Sequence, residues 1–448
     1  MGPLLGRRAI VVGAGMGGLA AAGALAEYFE RVIVIERDKL GSDAAYRSGT
    51  PQARHVHVLL AGGLRALESL FPGITAGFVE AGAVPIRMAL DTRSEVAGYD
   101  PFPQRDLGWD NYSMSRPLAE HVVRNALAKR ANVELKDQCR VREIVAAAAS
   151  ADAVSGVRLA GRNGGGEFLG ADLIVDASGS GALTLAALQS VGMPLPVETR
   201  IGVDFVYSTA LFSIPDDAPS EWKGVFTFPN PPASSRGALM MPIEGNRWIV
   251  SLGGAHGDTP PGDFDGFLAF AERLRTTTVY RAIKGIKPLA EVARFGIPES
   301  TRRHFERLES FPRRLVPLGD AICRFNPIYG QGMSVAAQEA RILRNILATR
   351  AAALDPFEGL PQEFFAATQE VIDTPWVTSA VQDFAYPQTR GERPPDIENT
   401  LRLARTLNHL AACDADIHKL TVEIRQLLKP GQALNHPALV AQAQALVA

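Results

Sequence analysis

The sequence predicts an α/β protein in which a parallel-sheet domain is assembled from distant segments, a β-sheet domain is inserted within it, and a helical region follows. Three observations predict this. Residues 8–12, Arg-Ala-Ile-Val-Val, form an apolar run that leads directly into Gly13-Ala14-Gly15-Met16-Gly17-Gly18. A second apolar run, residues 312–318, leads into Gly319-Asp320 and then Gly330-Gln331-Gly332. Between them, stretches such as 203–207, 225–228 and 247–250 alternate apolar and polar residues with the period of two that marks strands.

Taken in order, residues 8–12 read as a strand and 16–27 as an Ala-rich helix. Strand, glycine loop and helix together form a Rossmann-like dinucleotide fingerprint. Gly13 permits the tight turn, Gly15 lets a pyrophosphate approach the main chain, and Gly18 brings helix and sheet together. Residues 31–35 form the next strand and end at Glu36, suited to accept hydrogen bonds from a ribose and to repel a 2′-phosphate. Its neighbour Arg37 joins the cofactor set. This pattern is common to NAD and FAD sites and does not choose between them.

Residues 47–52 form a loop after that strand, and Arg47 gives it a fixed planar cation. His55 and His57 follow without Cys, Asp or Glu partners nearby, too thin a set to predict a metal site. Ser115-Arg116-Pro117 opens a helix running to about residue 130. Arg116 stands at that helix start, where the plain reading is a surface residue. Residues 171–176 form a strand ending at Asp176, which serves a ligand or simply a turn. In the middle of the chain, Phe205 with Tyr207 and Phe226 with Phe228 share strand faces, and Met240 adds apolar surface. These five are candidate substrate residues, with sheet core the other use for them. The helix expected over 333–347 starts after Gly330-Gln331-Gly332, where unpaired amides favour an anion.

Gly319-Asp320, Pro327-x-x-Gly330-Gln331-Gly332 and the amino-terminal glycines together resemble the single-component FAD-dependent monooxygenases of the p-hydroxybenzoate hydroxylase type. Asn326-Pro327-x-Tyr329-Gly330-Gln331-Gly332-Met333 and Pro51-Gln52-x-x-His55-x-His57 look like the variants found in bacterial epoxidases and squalene-epoxidase-like enzymes. The resemblance covers most of residues 5–350. It implies an FAD site formed by Gly13, Gly15, Gly18, Glu36, Arg37, Arg47, Arg116, Asp176, Asp320, Pro327, Gly332, Met333 and Ser334. Asp320 would serve the ribityl and pyrophosphate region, the Pro327 carbonyl the flavin edge, and the amides of Met333 and Ser334 the pyrimidine oxygen. Pro327, Gly330, Gln331 and Gly332 become the catalytic loop. Cys323 departs from the aromatic-hydroxylase pattern, where a His usually follows Gly-Asp-Ala-Ala.

The resemblance also implies the reaction. NADPH or NADH reduces FAD, O2 yields a C4a-hydroperoxyflavin, and one oxygen atom passes to an apolar, natural-product-like substrate by epoxidation or hydroxylation. No second glycine fingerprint marks a nicotinamide domain, so the donor is expected to visit transiently or to act through an external flavin reductase. A polyprenoid-type reductase and a noncatalytic flavin-binding protein are the alternatives. The expected segments are 1–80, 105–185 and 295–350 for the FAD domain, 81–104 and 186–294 for the substrate domain, and 351–448 for the helical region.

Composition agrees with this expectation. The chain has 448 residues, enough for several domains, and its 46 Lys and Arg nearly balance 48 Asp and Glu, so no basic field points to nucleic acid. Its 3 cysteines, Cys139, Cys323 and Cys413, are widely spaced and odd in number, which suits a reducing cytoplasm. No apolar run of about 18 residues escapes charges and turn signals, so no integral membrane segment is expected. The turn-rich stretch 386–395 separates the body from helices read as a packing appendage, with Trp376 and Phe384 as candidates for a substrate entrance.

Overall fold

The computed structural model describes residues 4–148, 150–161 and 166–445; residues 1–3 and 446–448 of the expected end segments lie outside them. Five parallel strands form the first sheet, in the order Leu315–Pro317, Leu173–Asp176, Gly6–Val12, Phe29–Ile35 and Val133–Lys136. Val12 stands opposite both Ile35 and Asp176, Asp176 opposite Pro317 and Ile35 opposite Lys136, so all five strands end level with one another. Ligands of open parallel sheets bind beyond such a carboxyl edge.

The Met16–Leu25 helix packs on this sheet and against the Gly332–Thr349 and Arg116–Ala128 helices. Nine of its ten residues are buried, so Ala and Gly replace the usual amphipathic stripe. A Cβ on Gly18 would lie 1.9 Å from the carbonyl oxygen of Gly13, which makes glycine obligatory there.

Seven strands form the second sheet: Cys323–Arg324, Ala293–Arg303, Glu198–Ser213, Arg247–Gly254, Gly237–Ile243, Gly224–Thr227 and Thr92–Glu95. One face is covered by the Phe264–Glu272 and Thr278–Ile283 helices and buries Phe212, Val225, Met240, Trp248 and Leu252. The Ala293–Arg303 strand carries this sheet beyond the expected boundary at 294. Its pairing with Glu198–Ser213 extends to Glu198 opposite Arg303, and the chain rejoins the first sheet only at Leu315.

The helices after the turn-rich stretch, Ile397–Cys413 and Ala415–Arg425, are tied into the body, as Leu360–Asp383 before it is, and so are more than the packing appendage expected of them. Gln426 Oε1 accepts hydrogen bonds from Ala61 N (3.0 Å) and Asn111 Nδ2 (2.7 Å), and Gly62 N donates to the Gln426 carbonyl (2.8 Å). Arg105 donates to the carbonyls of Ala411 and Ala412 at 2.7 and 2.6 Å, at the negative end of the Ile397–Cys413 helix. The 386–395 stretch is stitched to the second sheet by reciprocal backbone bonds between Gly202 and Arg390. No helix among the described residues is long and apolar enough to cross a membrane.

Candidate active site

A single cavity of about 2340 Å³ runs from the carboxyl edge of the parallel sheet to the free face of the second sheet and on to the carboxy-terminal helices. Ordinary small-molecule pockets occupy about 300–1000 Å³, so this one has room for a cofactor and a second ligand together.

Main chain dominates the first end. Gly13 has φ +101°, and a Cβ there would meet the Ala177 carbonyl oxygen at 2.6 Å. Gly15 caps the Met16–Leu25 helix, and its missing Cβ leaves open the space between the helix start and Arg116 Nη2, which would stand 3.8 Å away. Glu36 lies at the end of the neighbouring strand and accepts Ala14 N (2.8 Å) and Asp38 N (3.0 Å). Arg37 lines the same end and donates to the Gly49 carbonyl (3.2 Å).

Two arginines converge on this end. Arg47 donates to Glu120 Oε2 (2.6 Å), and Arg116 Nε to Glu120 Oε1 (2.9 Å), so one buried carboxylate orients both. Burial opposes the Glu120 charge, but the two guanidinium groups outweigh it and its pKa is lowered. Burial likewise opposes the Arg47 charge; Glu120, Glu36 and Asp38 outweigh it and its pKa is raised. Arg47 Nη1 lies 3.3 Å from Glu36 and is buried without a hydrogen-bond partner.

Arg116 Nη1 also donates to His57 Nε2 (3.3 Å), while His57 Nδ1 donates to the His55 carbonyl (3.0 Å). An arginine only donates and a carbonyl only accepts, so this His57 is neutral with its proton on Nδ1. Burial, then Arg116, lowers its pKa to about 4. His55 stacks edge-on against Tyr207 at 4.2 Å and meets Thr209 Oγ1 at 2.7 Å; burial lowers its pKa to about 3. Both histidines are therefore neutral packing groups in the cavity wall.

The late block forms the middle of the cavity. Gly319 (φ +68°) turns the chain so that the Asp320 carboxylate projects into the cavity without a hydrogen-bond donor among the described residues. Enclosure raises its pKa, against the pull of Arg116, Arg324 and Arg303. A carboxylate so placed fits the hydroxyls of a polyol. Gly319 N donates to Glu339 Oε2 (2.6 Å) on the helix beneath, and burial pushes Glu339 up to about 8. Pro327, Gly330, Gln331, Gly332 and Met333 all line the cavity. The Pro327 carbonyl accepts Gly330 N (3.0 Å), and Gln331 Oε1 accepts the Ser379 hydroxyl (2.8 Å).

Phe205, Tyr207, Phe226 and Phe228 line the sheet end, as the strand period requires. Met240 does not. It pairs with Val225 and Val250 on the helix-covered face and is fully buried, while its neighbour Leu239 faces the cavity. Two cofactor candidates are likewise displaced. Asp176 has no exposure, and its oxygens are taken by Ser178 N (3.1 Å), Thr184 N (3.1 Å) and Thr184 Oγ1 (2.7 Å), so it shapes the turn rather than facing the cavity. Ser334 N donates to the Gln331 carbonyl (3.0 Å) and its hydroxyl accepts Leu60 N (2.9 Å), which leaves Gly332 and Met333 as the amides at the cavity. Trp376 packs beside Phe325 and only Phe384 of the proposed entrance pair lines the cavity.

Sequence reasoning missed Glu120, Glu339, Asp383 and the lining from Leu401, Leu407 and Ile424. One signal was available. Glu339 falls at helical spacing from Val335, Ala336 and Leu343, and Asp383 from Trp376, Ser379 and Ala380, so each is an acid on an apolar stripe.

Comparison with known proteins supplies the family. Residues 7–353 match the model of the FAD binding domain family. Over 400 residues, spanning 86% of this chain and 82% of the relative, the chain is 31% identical to Protein Rv3254 of Mycobacterium tuberculosis. Among solved structures, p-nitrophenol 4-monooxygenase PnpA from Pseudomonas putida superposes with a TM-score of 0.65 at 16% identity, covering 95% of this chain and 99% of that one. A triple mutant of the flavin-dependent brominase Bmp2 superposes with a TM-score of 0.66 at 13% identity, covering 98% of both chains. At these identities the two structural likenesses speak to the fold alone.

Proposed function

We propose, on the premise that this chain belongs to the FAD binding domain family, that it is an FAD-dependent monooxygenase that places one oxygen atom of O2 into an apolar, natural-product-like substrate by hydroxylation or epoxidation. The observation that carries this reading is the continuity of the cavity, which joins the glycine loop and the Pro327–Gly332 segment to an aromatic sheet face in one space of about 2340 Å³.

Bound FAD supplies the electron transfer and O2 activation, with NADPH or NADH, directly or through an external flavin reductase, as the electron source. The chain's own residues bind and orient. Gly13 and Gly15 admit the pyrophosphate to main-chain amides, and Arg47 and Arg116, held by Glu120, neutralise it. Glu36 serves the ribose and Asp320 the ribityl hydroxyls. The amides of Gly332 and Met333, at the start of the Gly332–Thr349 helix, favour negative charge on the isoalloxazine ring. Phe205, Tyr207, Phe226 and Leu239 keep the substrate end apolar and dry, which strengthens every electrostatic contact inside it.

The reading is tested by anaerobic reduction of the FAD-loaded protein with NADH or NADPH in the presence of a panel of polycyclic alkenes and phenols, followed by labelled O2. One labelled atom in the product is expected. Product formed without O2 would point instead to a reductase, and product oxygen drawn only from water would rule out oxygen transfer.

A further inference from the structure

We propose that Asp383 is a catalytic base of this site, its Oδ2 taking the proton of an acidic hydroxyl, so that the apolar substrate carries a phenol- or enol-type oxygen docked beside the Asn326–Tyr329 turn. The proposal rests on the monooxygenase reading above and narrows its substrate class.

Asp383 is the last residue of the Leu360–Asp383 helix and is 6% exposed. A carboxylate there faces the negative end of the helix dipole and is removed from water, so both local terms oppose it. Its two oxygens are treated unequally. Oδ1 accepts Asn326 Nδ2 and the Tyr329 hydroxyl, each at 2.9 Å. Oδ2 is buried without a hydrogen-bond partner, and the residue lines the cavity. Bracing the turn does not require this acid, because an asparagine could also accept both donors at Oδ1, though less strongly. What an asparagine cannot supply is a proton acceptor at the second atom.

Burial pushes the Asp383 carboxyl up to about 7, while Tyr329 and Asn326 hold it down, which poises it near neutrality as a general base requires. The ionisable groups around it are Tyr329 from the turn and Tyr386 beyond the helix, both held neutral by burial. On the sheet side, His256 meets Thr389 Oγ1 at 3.3 Å, and that hydroxyl donates to the Asp383 carbonyl; burial lowers the His256 pKa. Arg393 is engaged by the Phe384 and Tyr386 carbonyls. In the proposed step the substrate O–H bond breaks, an O–H bond forms at Oδ2, and the electron pair stays on the substrate oxygen. No oxidant or reductant enters it.

The test uses the FAD-loaded protein and two probes of nearly equal shape, 2-naphthol and 2-methoxynaphthalene, with binding read from the flavin absorption spectrum between pH 5.5 and 9. Naphthol is expected to bind at least about tenfold tighter than the ether above pH 7, as for a hydrogen bond to a charged group, with the preference shrinking as Asp383 protonates. Asp383→Asn should keep FAD and ether affinity but lose both the preference and its pH dependence. Tyr329→Phe removes a donor that favours the ionised carboxylate, so the preference should appear at higher pH. Equal binding of the two probes to the unaltered protein, or a preference that survives in Asp383→Asn, would overturn the assignment. Failure of both probes to perturb the flavin would instead overturn the apolar-substrate reading, and the assignment with it.

Discussion

At the Gly13–Gly18 end of the cavity the wall is largely main chain, whereas at the substrate end it is side chains delivered by the second sheet, the Asn326–Tyr329 turn and the carboxy-terminal helices. The glycine end tolerates almost no alternative: Cβ atoms at Gly13 and Gly18 would run into carbonyl oxygens at 2.6 and 1.9 Å. The substrate end depends on which of two adjacent residues faces inward and on contacts made across hundreds of residues, such as Arg105 with Ala411. Backbone geometry imposes residue identity locally. Side-chain geometry imposes it only once the chain has folded.

The largest expected effect tests the main-chain end. Gly18→Ala should destabilise the protein by at least about 4 kcal/mol, in the range reserved for severe steric conflict, because the obstacle is a backbone carbonyl that cannot step aside. Gly285→Ala, where an added Cβ meets nothing within 4 Å, should stay within about 0.5 kcal/mol. Denaturant unfolding of the two variants measures the contrast, and similar costs would break it.

A smaller, two-part effect tests the side-chain end. Met240→Ala should cost about 2–5 kcal/mol, as for other large-to-small changes in a core, and leave binding of 2-methoxynaphthalene unchanged. Leu239→Ala, one residue away on the cavity face, should cost less stability and weaken that binding. If the two variants exchange phenotypes, the assignment of the sheet faces is wrong.

The smallest effect concerns pH. Glu339, pushed up to about 8, keeps a proton in the folded state that the unfolded chain gives up near its ordinary value, so stability falls as pH rises between those values. His55 and His57, lowered to about 3 and 4, act oppositely: the unfolded chain binds their protons first, so stability rises with pH up to about 6.5, the ordinary His value. Asp383 stops contributing above about 7. Between pH 7 and 8, then, Glu339→Gln should flatten the fall in melting temperature, and an unchanged slope would remove Glu339 as its cause.

Much of the cofactor end was legible because its demands are local. Strand, glycines, helix and Glu36 are consecutive, and the Gly319-Asp320 and Gly330-Gln331-Gly332 segment carries its own turn chemistry. Asp176 shows the limit: an acid at a strand end looks alike whether it meets a ligand or, as here, Thr184 and Ser178. Met240 shows another, since a period of two says that neighbouring residues face opposite ways without saying which way is inward. Ser334 was misjudged by a single residue of helix phase.

The sequence, through its resemblance to a known family, brought two distant glycine segments to one parallel sheet, and the left-handed turns at Gly13, Gly319 and Gly330 are local backbone demands that disfavour other side chains there. It also determined the alternation that makes one face of the inserted sheet aromatic. Only the tertiary structure decided that Glu120 orients both arginines, that the last helices close the cavity rather than hang beside it, and that Asp383 arrives with one oxygen bound and the other free. Apart from the Arg116–Glu120 pair, which is spaced i,i+4 on one helix, those outcomes depend on distances between segments about 50 to 300 residues apart, which no local propensity encodes and which are set when the apolar faces of the two sheets and the carboxy-terminal helices are buried together.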